Sequence, residues 1–180
     1  MNNYQKLIEK EVESFSGKAI DRETFEKFIS HVRSTDKLTK TANIDEHICS
    51  FFVPYNRESH SVYLGHHIKA NCWIPPGGHI NDLEHPVETV IREFEEELNQ
   101  KITKSQVSPL SMTIKDISDN PRNPCKIHFD FWYLVDVPRI EFEYIKKEYY
   151  DAKWVTFDEA MKLMNIPLYK TVVLSIKDSA

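Results

Sequence analysis

Three glutamates, Glu93, Glu96 and Glu97, stand at i, i+3 and i+4 in the run "REFEEEL". That spacing puts side chains on one face of a helix. Val87, Ile91, Phe94 and Leu98, at i, i+4, i+7 and i+11, mark the stripe that such a helix buries. At about 100° per residue the acidic trio points away from the stripe, and Glu95 points to a different side. Crowded carboxylates repel one another and tend to take up protons. A divalent cation resolves the conflict. Hard oxygen ligands on a rigid helix suit Mg²⁺ or Mn²⁺ bound together with substrate phosphates.

The residues before the helix fit the same chemistry. Pro75 and Pro76 fix φ, and Gly77 and Gly78 then permit a bend that brings a backbone carbonyl towards a metal. Glu84 lies six residues after Gly78 and eight before Arg92, so the loop can fold back and pair the two. Pro86 suits the first turn of the helix. Elsewhere, His128 and Asp130 share a face with Trp132 on a long strand. They are candidate substrate-binding residues, with an internally satisfied pair as the equal alternative. His79 reads as a structural hydrogen-bonding residue, and His66 and His67 as strand-end residues, with substrate contact as the lesser alternative. Trp73, Phe129 and Trp132 read as core. Tyr149 and Tyr150, beside Glu148, read either as a lid or as packing.

The elements that must position these groups follow from periodicity. Apolar stripes predict helices over 3–15 and over Phe25, Phe28, Ile29 and Val32, the second capped by Asp21. Residues 34–43 read as a linker. Residues 46–55 and 61–68 predict a hairpin, and 107–117, 126–137 and 150–155 predict strands. Of these, 126–137 is apolar on both faces and therefore central. The loop or hairpin tip is expected at 118–125. Thr156 and Glu159 have capping-box spacing, Pro167 is expected to end that helix, and 168–177 to form a last one. The pattern is an α/β domain with a mixed sheet covered on both faces, residues 41–180, carrying a helical N-terminal extension over 1–40.

Composition narrows the function. The chain has 180 residues, 28 acidic against 23 basic, and a formal net charge of −5. That argues against a duplex nucleic-acid binder. It has 4 glycines, where average usage gives roughly 13, and neither GxGxxG nor GxxxxGK[ST]. Cys49, Cys72 and Cys125 are widely spaced. With no CxxC and no paired Cys/His spacing, neither a disulfide framework nor a structural zinc site is expected. The expected compartment is cytoplasmic, and neither a signal peptide nor a membrane span is expected.

Read from Gly78, the chain has five residues, Glu84, seven residues, Arg92, Glu93, Phe94, one residue, Glu96 and Glu97. This resembles the Nudix box of the Nudix hydrolase family, over about an eighth of the chain, and "WIPPGGH" resembles the lead-in of many members. Where the family usually has a glycine and an aliphatic residue, this chain has Asn99 and Gln100. Asparagine can still make the left-handed stop, with Ile102 taking the apolar role. The resemblance implies a Nudix-type α/β/α sandwich and hydrolysis of a nucleoside diphosphate linked to another moiety. It implies Mg²⁺ (or Mn²⁺) held by Glu93, Glu96, Glu97 and the Gly77 carbonyl. Glu93 would be a ligand or act on the attacking water, and Arg92 and Glu84 would orient the set. A further loop glutamate, Glu143 or Glu148, is a candidate base. The implied partner is a small nucleotide-type substrate, and the N-terminal helices could supply a homodimer contact. A non-catalytic nucleotide sensor and a diphosphate isomerase on the same fold are the alternatives.

Overall fold

The computed structural model describes residues 1–119 and 124–178. Two capped helices lead the chain. α1 (Asn3–Ser14) opens with a capping box, in which Gln5 N donates to Asn2 Oδ1 and Asn2 N to Gln5 Oε1, each at 2.8 Å. α2 (Arg22–Ser34) is capped by Asp21, which accepts the Thr24 amide at 2.7 Å. The buried Gln5 also donates to the carbonyls of Val32 at 3.2 Å and Thr35 at 2.8 Å, so α1 satisfies the end of α2.

The segment between α2 and the sheet is docked, contrary to the expectation of a linker. Leu38 and Thr39 are buried, and the Leu38 carbonyl accepts the Ile48 amide at 2.9 Å. The Thr39 and Thr41 hydroxyls both donate to Asp82. Local composition could not show this, because Asp82 lies more than forty residues away in sequence.

The strands are β1 (Glu46–Asn56), β2 (Ser61–His67), β3 (Cys72–Ile74), β4 (Gly77–His79), β5 (Val107–Asp116), β6 (Ile127–Asp136) and β7 (Tyr149–Thr156). They form one mixed sheet of order β3-β2-β1-β6-β5, with β4 beside β1 and β7 beside β2. β6 is central as expected: it pairs parallel to β1 from Glu46↔Ile127 to Tyr55↔Asp136, and antiparallel to β5. β1 and β2 make the expected hairpin but pair only at Tyr55↔Val62 and Asn56↔Ser61. Beyond that β4 takes the place beside β1, through Cys49↔His79, Ser50↔Gly78 and Phe51↔Gly77. β2 turns instead to β3 and β7.

Alternating side chains cover both faces. Phe52, Phe131 and Tyr133 pack with Ile8, Phe15 and Phe28 of the N-terminal segment and with Phe94 of α3 (Pro86–Leu98). The Phe28 and Phe131 rings are 4.8 Å apart, and the Tyr133 hydroxyl donates to Glu11 at 2.7 Å. Each such ring, fully buried, contributes roughly 1.5–3 kcal/mol. α1 and α2 are thus part of this core. On the other face Phe51, Val53, Trp132 and Leu134 pack with α4 (Phe157–Leu163) and α5 (Pro167–Ser175). The capping box at Thr156 and Glu159 starts α4 as expected. Pro167, however, does not end it. The helix stops at Leu163, and Pro167 opens α5, where a missing N–H costs nothing. Of the loop expected at 118–125, residues 120–123 lie outside the described residues.

Candidate functional site

α3 is fixed at both ends. His85 accepts the Val87 amide at 3.2 Å, Pro86 takes the first turn, and Glu88 returns a bond to the His85 amide at 3.1 Å. Asn99 closes the helix in the left-handed conformation at φ 51° and ψ 36°, and Ile102 is buried behind it. The substitution of asparagine for glycine therefore leaves the turn intact.

The preceding loop is locked to the helix by Glu84. Its carboxylate accepts from Arg92 Nε at 2.8 Å, Arg92 Nη2 at 3.0 Å, Thr89 Oγ1 at 2.8 Å and the Asn81 amide at 2.9 Å. Burial pushes this carboxyl up, but those hydrogen bonds outweigh it and hold the pKa below its usual value. Arg92 reaches further, to the His79 carbonyl at 3.1 Å, Glu93 at 2.7 Å and Glu96 at 3.1 Å. Its own pKa is raised, first by the bond to Glu84.

Glu93, Glu96 and Glu97 line one cleft with Gly77 and Gly78. Glu97 is almost fully buried, and its Oε2 accepts from Tyr149 Oη at 2.7 Å and from the Gly77 amide at 3.3 Å. Burial raises its pKa well above the usual value, and the Glu93 charge adds to that. Glu93 is raised as well, mainly by burial, with Arg92 opposing. Glu96 is the exposed member, and Glu95 leaves the cleft to meet Lys101 at 3.5 Å. Both glycines lie in close contact with their neighbours, Gly78 with a side chain and Gly77 with the backbone. A Cβ on Gly78 would lie 1.9 Å from Glu93 Oε1. Gly77 has φ +154°, and a Cβ there would lie 2.6 Å from Phe51 Cα and the Ser50 carbonyl.

The cleft has a volume of about 770 Å³, within the range of small-molecule sites. Lys40, Lys69 and Lys115 also line it, as does Glu148. The two candidate loop glutamates separate: Glu148 faces the cleft beside His67 Nε2 at 3.5 Å and Lys69 Nζ at 3.7 Å. Glu143 instead accepts from Asn99 Nδ2 at 2.7 Å, at the end of α3. Of the Tyr149–Tyr150 pair, Tyr149 packs and holds Glu97, while Tyr150 is exposed. His128 lines the cleft. Asp130 does not: it is fully buried and accepts from Thr113 at 3.0 Å, and burial raises its pKa to about 7. Its Oδ1 lies 4.0 Å from His128 Nδ1, beyond hydrogen-bond distance, so the two residues do not form an internally satisfied pair.

Sequence reasoning missed Tyr149 as the partner of Glu97, because no periodicity connects residues 52 positions apart. It also missed a gathering of His47, His79, Cys125 and His128 at the β1 end of the cleft.

The architecture and the site define an α/β/α sandwich in which a glycine turn and a glutamate-bearing helix share a cleft. A NUDIX domain model matches residues 46–174, and the chain belongs to the Nudix family. No curated protein matches the chain. Among solved structures it is similar to the Escherichia coli dihydroneopterin triphosphate pyrophosphohydrolase, with TM-score 0.65 at 15% identity over 74% of this chain and 96% of that one. It is also similar to the NUDIX domain of Shewanella oneidensis NrtR complexed with ADP ribose, with TM-score 0.62 at 14% identity over 83% and 96%. A Caenorhabditis elegans Ap4A hydrolase gives TM-score 0.54 at 19% identity over 72% and 96%. These likenesses establish the shared fold. No helix among the described residues is long and apolar enough to cross a membrane.

Proposed function

We propose that this chain is a divalent-metal-dependent pyrophosphohydrolase acting on a nucleoside diphosphate linked to another moiety. One observation carries the reading. Glu84, Glu93 and Glu96 gather around the single guanidinium of Arg92, and Glu97 lies in the same cleft under the influence of the Glu93 charge, with Glu93 and Glu97 shielded from water. Buried anions in that excess call for added positive charge. The donor set is all hard oxygen, which suits Mg²⁺ or Mn²⁺. Glu93, Glu96, Glu97 and the Gly77 carbonyl would hold the ion. When bound, such an ion neutralises phosphate oxygens and makes a water more acidic.

The chain's own groups have separable tasks. Glu84 and Arg92 hold the loop against the helix. Tyr149 and the Gly77 amide fix the Glu97 carboxylate. Lys40, Lys69 and Lys115 supply positive charge on the cleft wall for the phosphates. Glu148 stands free of the Glu84–Arg92 lock and accepts the proton of the attacking water. Glu148→Gln is expected to lower kcat by about 100-fold, whereas Glu143→Gln leaves kcat within a few fold. Steady-state kinetics on the two variants checks the assignment, and the reverse ranking would move the role to Glu143.

The function is tested by incubating the purified protein with Mg²⁺ or Mn²⁺ against sugar nucleotides, dinucleotides, damaged nucleoside triphosphates and cap-like RNA. Products split at a phosphoanhydride, and lost on addition of EDTA, are expected for at least one class. Tight binding with no product would indicate a sensor. Rearrangement of an allylic diphosphate without phosphate release would indicate an isomerase. Either result overturns the proposal.

A further inference from the structure

A second cluster of ligating side chains lies on the sheet, built from different residues. The register places it. His47 pairs with His128 across the parallel β1–β6 ladder, and Cys49, two residues on, pairs with His79 across β1–β4. Residues two apart, and residues paired across a ladder, share a face. His47, His79 and His128 are therefore neighbours on the face that α4 and α5 cover. Their ring centroids are 4.9, 5.0 and 5.3 Å apart. Cys125, just before β6, brings its Sγ to 3.8 Å from His79 Nε2.

Two features distinguish this group from ordinary packing. Nε2 of His47 and Nε2 of His128 are buried and have no hydrogen-bond partner, in side chains that are respectively fully buried and 6% exposed. Each orphaned polar atom costs about 1–3 kcal/mol. The His47 ring is also oriented: its Nδ1 is 2.9 Å from the Asn43 carbonyl. A carbonyl only accepts, so Nδ1 carries the proton and Nε2 presents its lone pair. That is the arrangement by which metal-bound histidines are held.

We propose that His47, His79, Cys125 and His128 form a closed, four-coordinate zinc site. One ligand atom from each residue lies within 4.8 Å of all the others. A tetrahedral zinc ion draws such atoms to about 3.3–3.6 Å apart, close to the 3.8 Å already present between Cys125 and His79. Three imidazoles and a thiolate select zinc, just as the glutamates select Mg²⁺ or Mn²⁺. The site ties the segment before β6 to β1 and to β4, whose Gly77 and Gly78 abut Glu97 and Glu93. The expectation of no structural zinc rested on local spacing. Here the ligands lie at positions 47, 79, 125 and 128, and only the strand register unites them. The inference does not depend on hydrolysis.

The test counts metal and reads its geometry. Wild type and the Glu93→Gln/Glu97→Gln double variant are purified without chelator, supplied with zinc and dialysed. About one zinc per chain is expected in both by elemental mass spectrometry, because the variant removes only the carboxylate site. Replacing zinc by Co²⁺ is expected to give intense tetrahedral d–d bands and a sulfur-to-cobalt charge-transfer band. Cys125→Ser should abolish the charge-transfer band, and Cys49→Ser should leave it. Folded wild type that retains no zinc, a weak octahedral cobalt spectrum, or a charge-transfer band that survives Cys125→Ser would each overturn the proposal. Should Cys125→Ser fail to fold, the wild-type zinc count and cobalt spectrum decide it.

Discussion

Glu97→Gln is expected to lower kcat by about three orders of magnitude while the fold persists, since losing a few kcal/mol of charge stabilisation costs about that much rate. The geometry explains why rate and stability part company. Both hydrogen bonds to Glu97, from Tyr149 Oη and the Gly77 amide, arrive at the same oxygen, Oε2. A glutamine that places its carbonyl oxygen there keeps both. Only the negative charge is lost, and in the metal-free protein that charge is a burden, because burial and Glu93 already drive the carboxyl towards its protonated form. The metal-free variant should therefore melt no lower than wild type by circular dichroism. Wild-type turnover in Glu97→Gln at saturating metal would remove the basis for the proposed function.

Gly77→Ala should instead strike the fold, destabilising it by about 3 kcal/mol or more. Two penalties combine. The residue sits at φ +154°, where a side chain strains the backbone, and its new Cβ would press to 2.6 Å on Phe51 Cα and the Ser50 carbonyl. Those are backbone atoms of β1, which cannot swing aside. Gly17 supplies the control: it has φ +80°, but a methyl group there would meet nothing within 4 Å, so Gly17→Ala should cost only about 1 kcal/mol. Urea denaturation of the two variants measures the difference. Equal midpoints would mean that the approach of β4 to β1 is looser than described.

Much of this was legible in the chain because the signals are short-range. The stripe through Val87, Phe94 and Leu98, the proline at the first turn and the Glu84-to-Arg92 interval all act within a few turns, and the helix and its lock follow from them. The left-handed Asn99 is a local backbone preference and was equally readable. What escaped depends on register or on distant partners. Tyr149 reaches Glu97 only because β7 pairs with β2. Leu38 and Thr39 look like linker residues until Ile48 and Asp82 meet them. The two loop glutamates are alike in sequence, and the fold alone turns Glu148 to the cleft and Glu143 to Asn99. Pro167 shows a different ambiguity, since proline both forbids a helix interior and favours a first turn.

The parallel partnership of β1 and β6 also governs how the chain is made. Glu46 and Ile127 meet at the middle of the sheet although about 80 residues separate them. Antiparallel neighbours can zip from a turn, but this pair must close a long excursion first. During synthesis on a ribosome, Phe15 and Phe28 emerge well before Phe131 and Tyr133, the rings that shield them. A nascent chain stalled short of β6 therefore displays greasy, unshielded helices, the kind of surface that chaperones engage and that aggregation exploits.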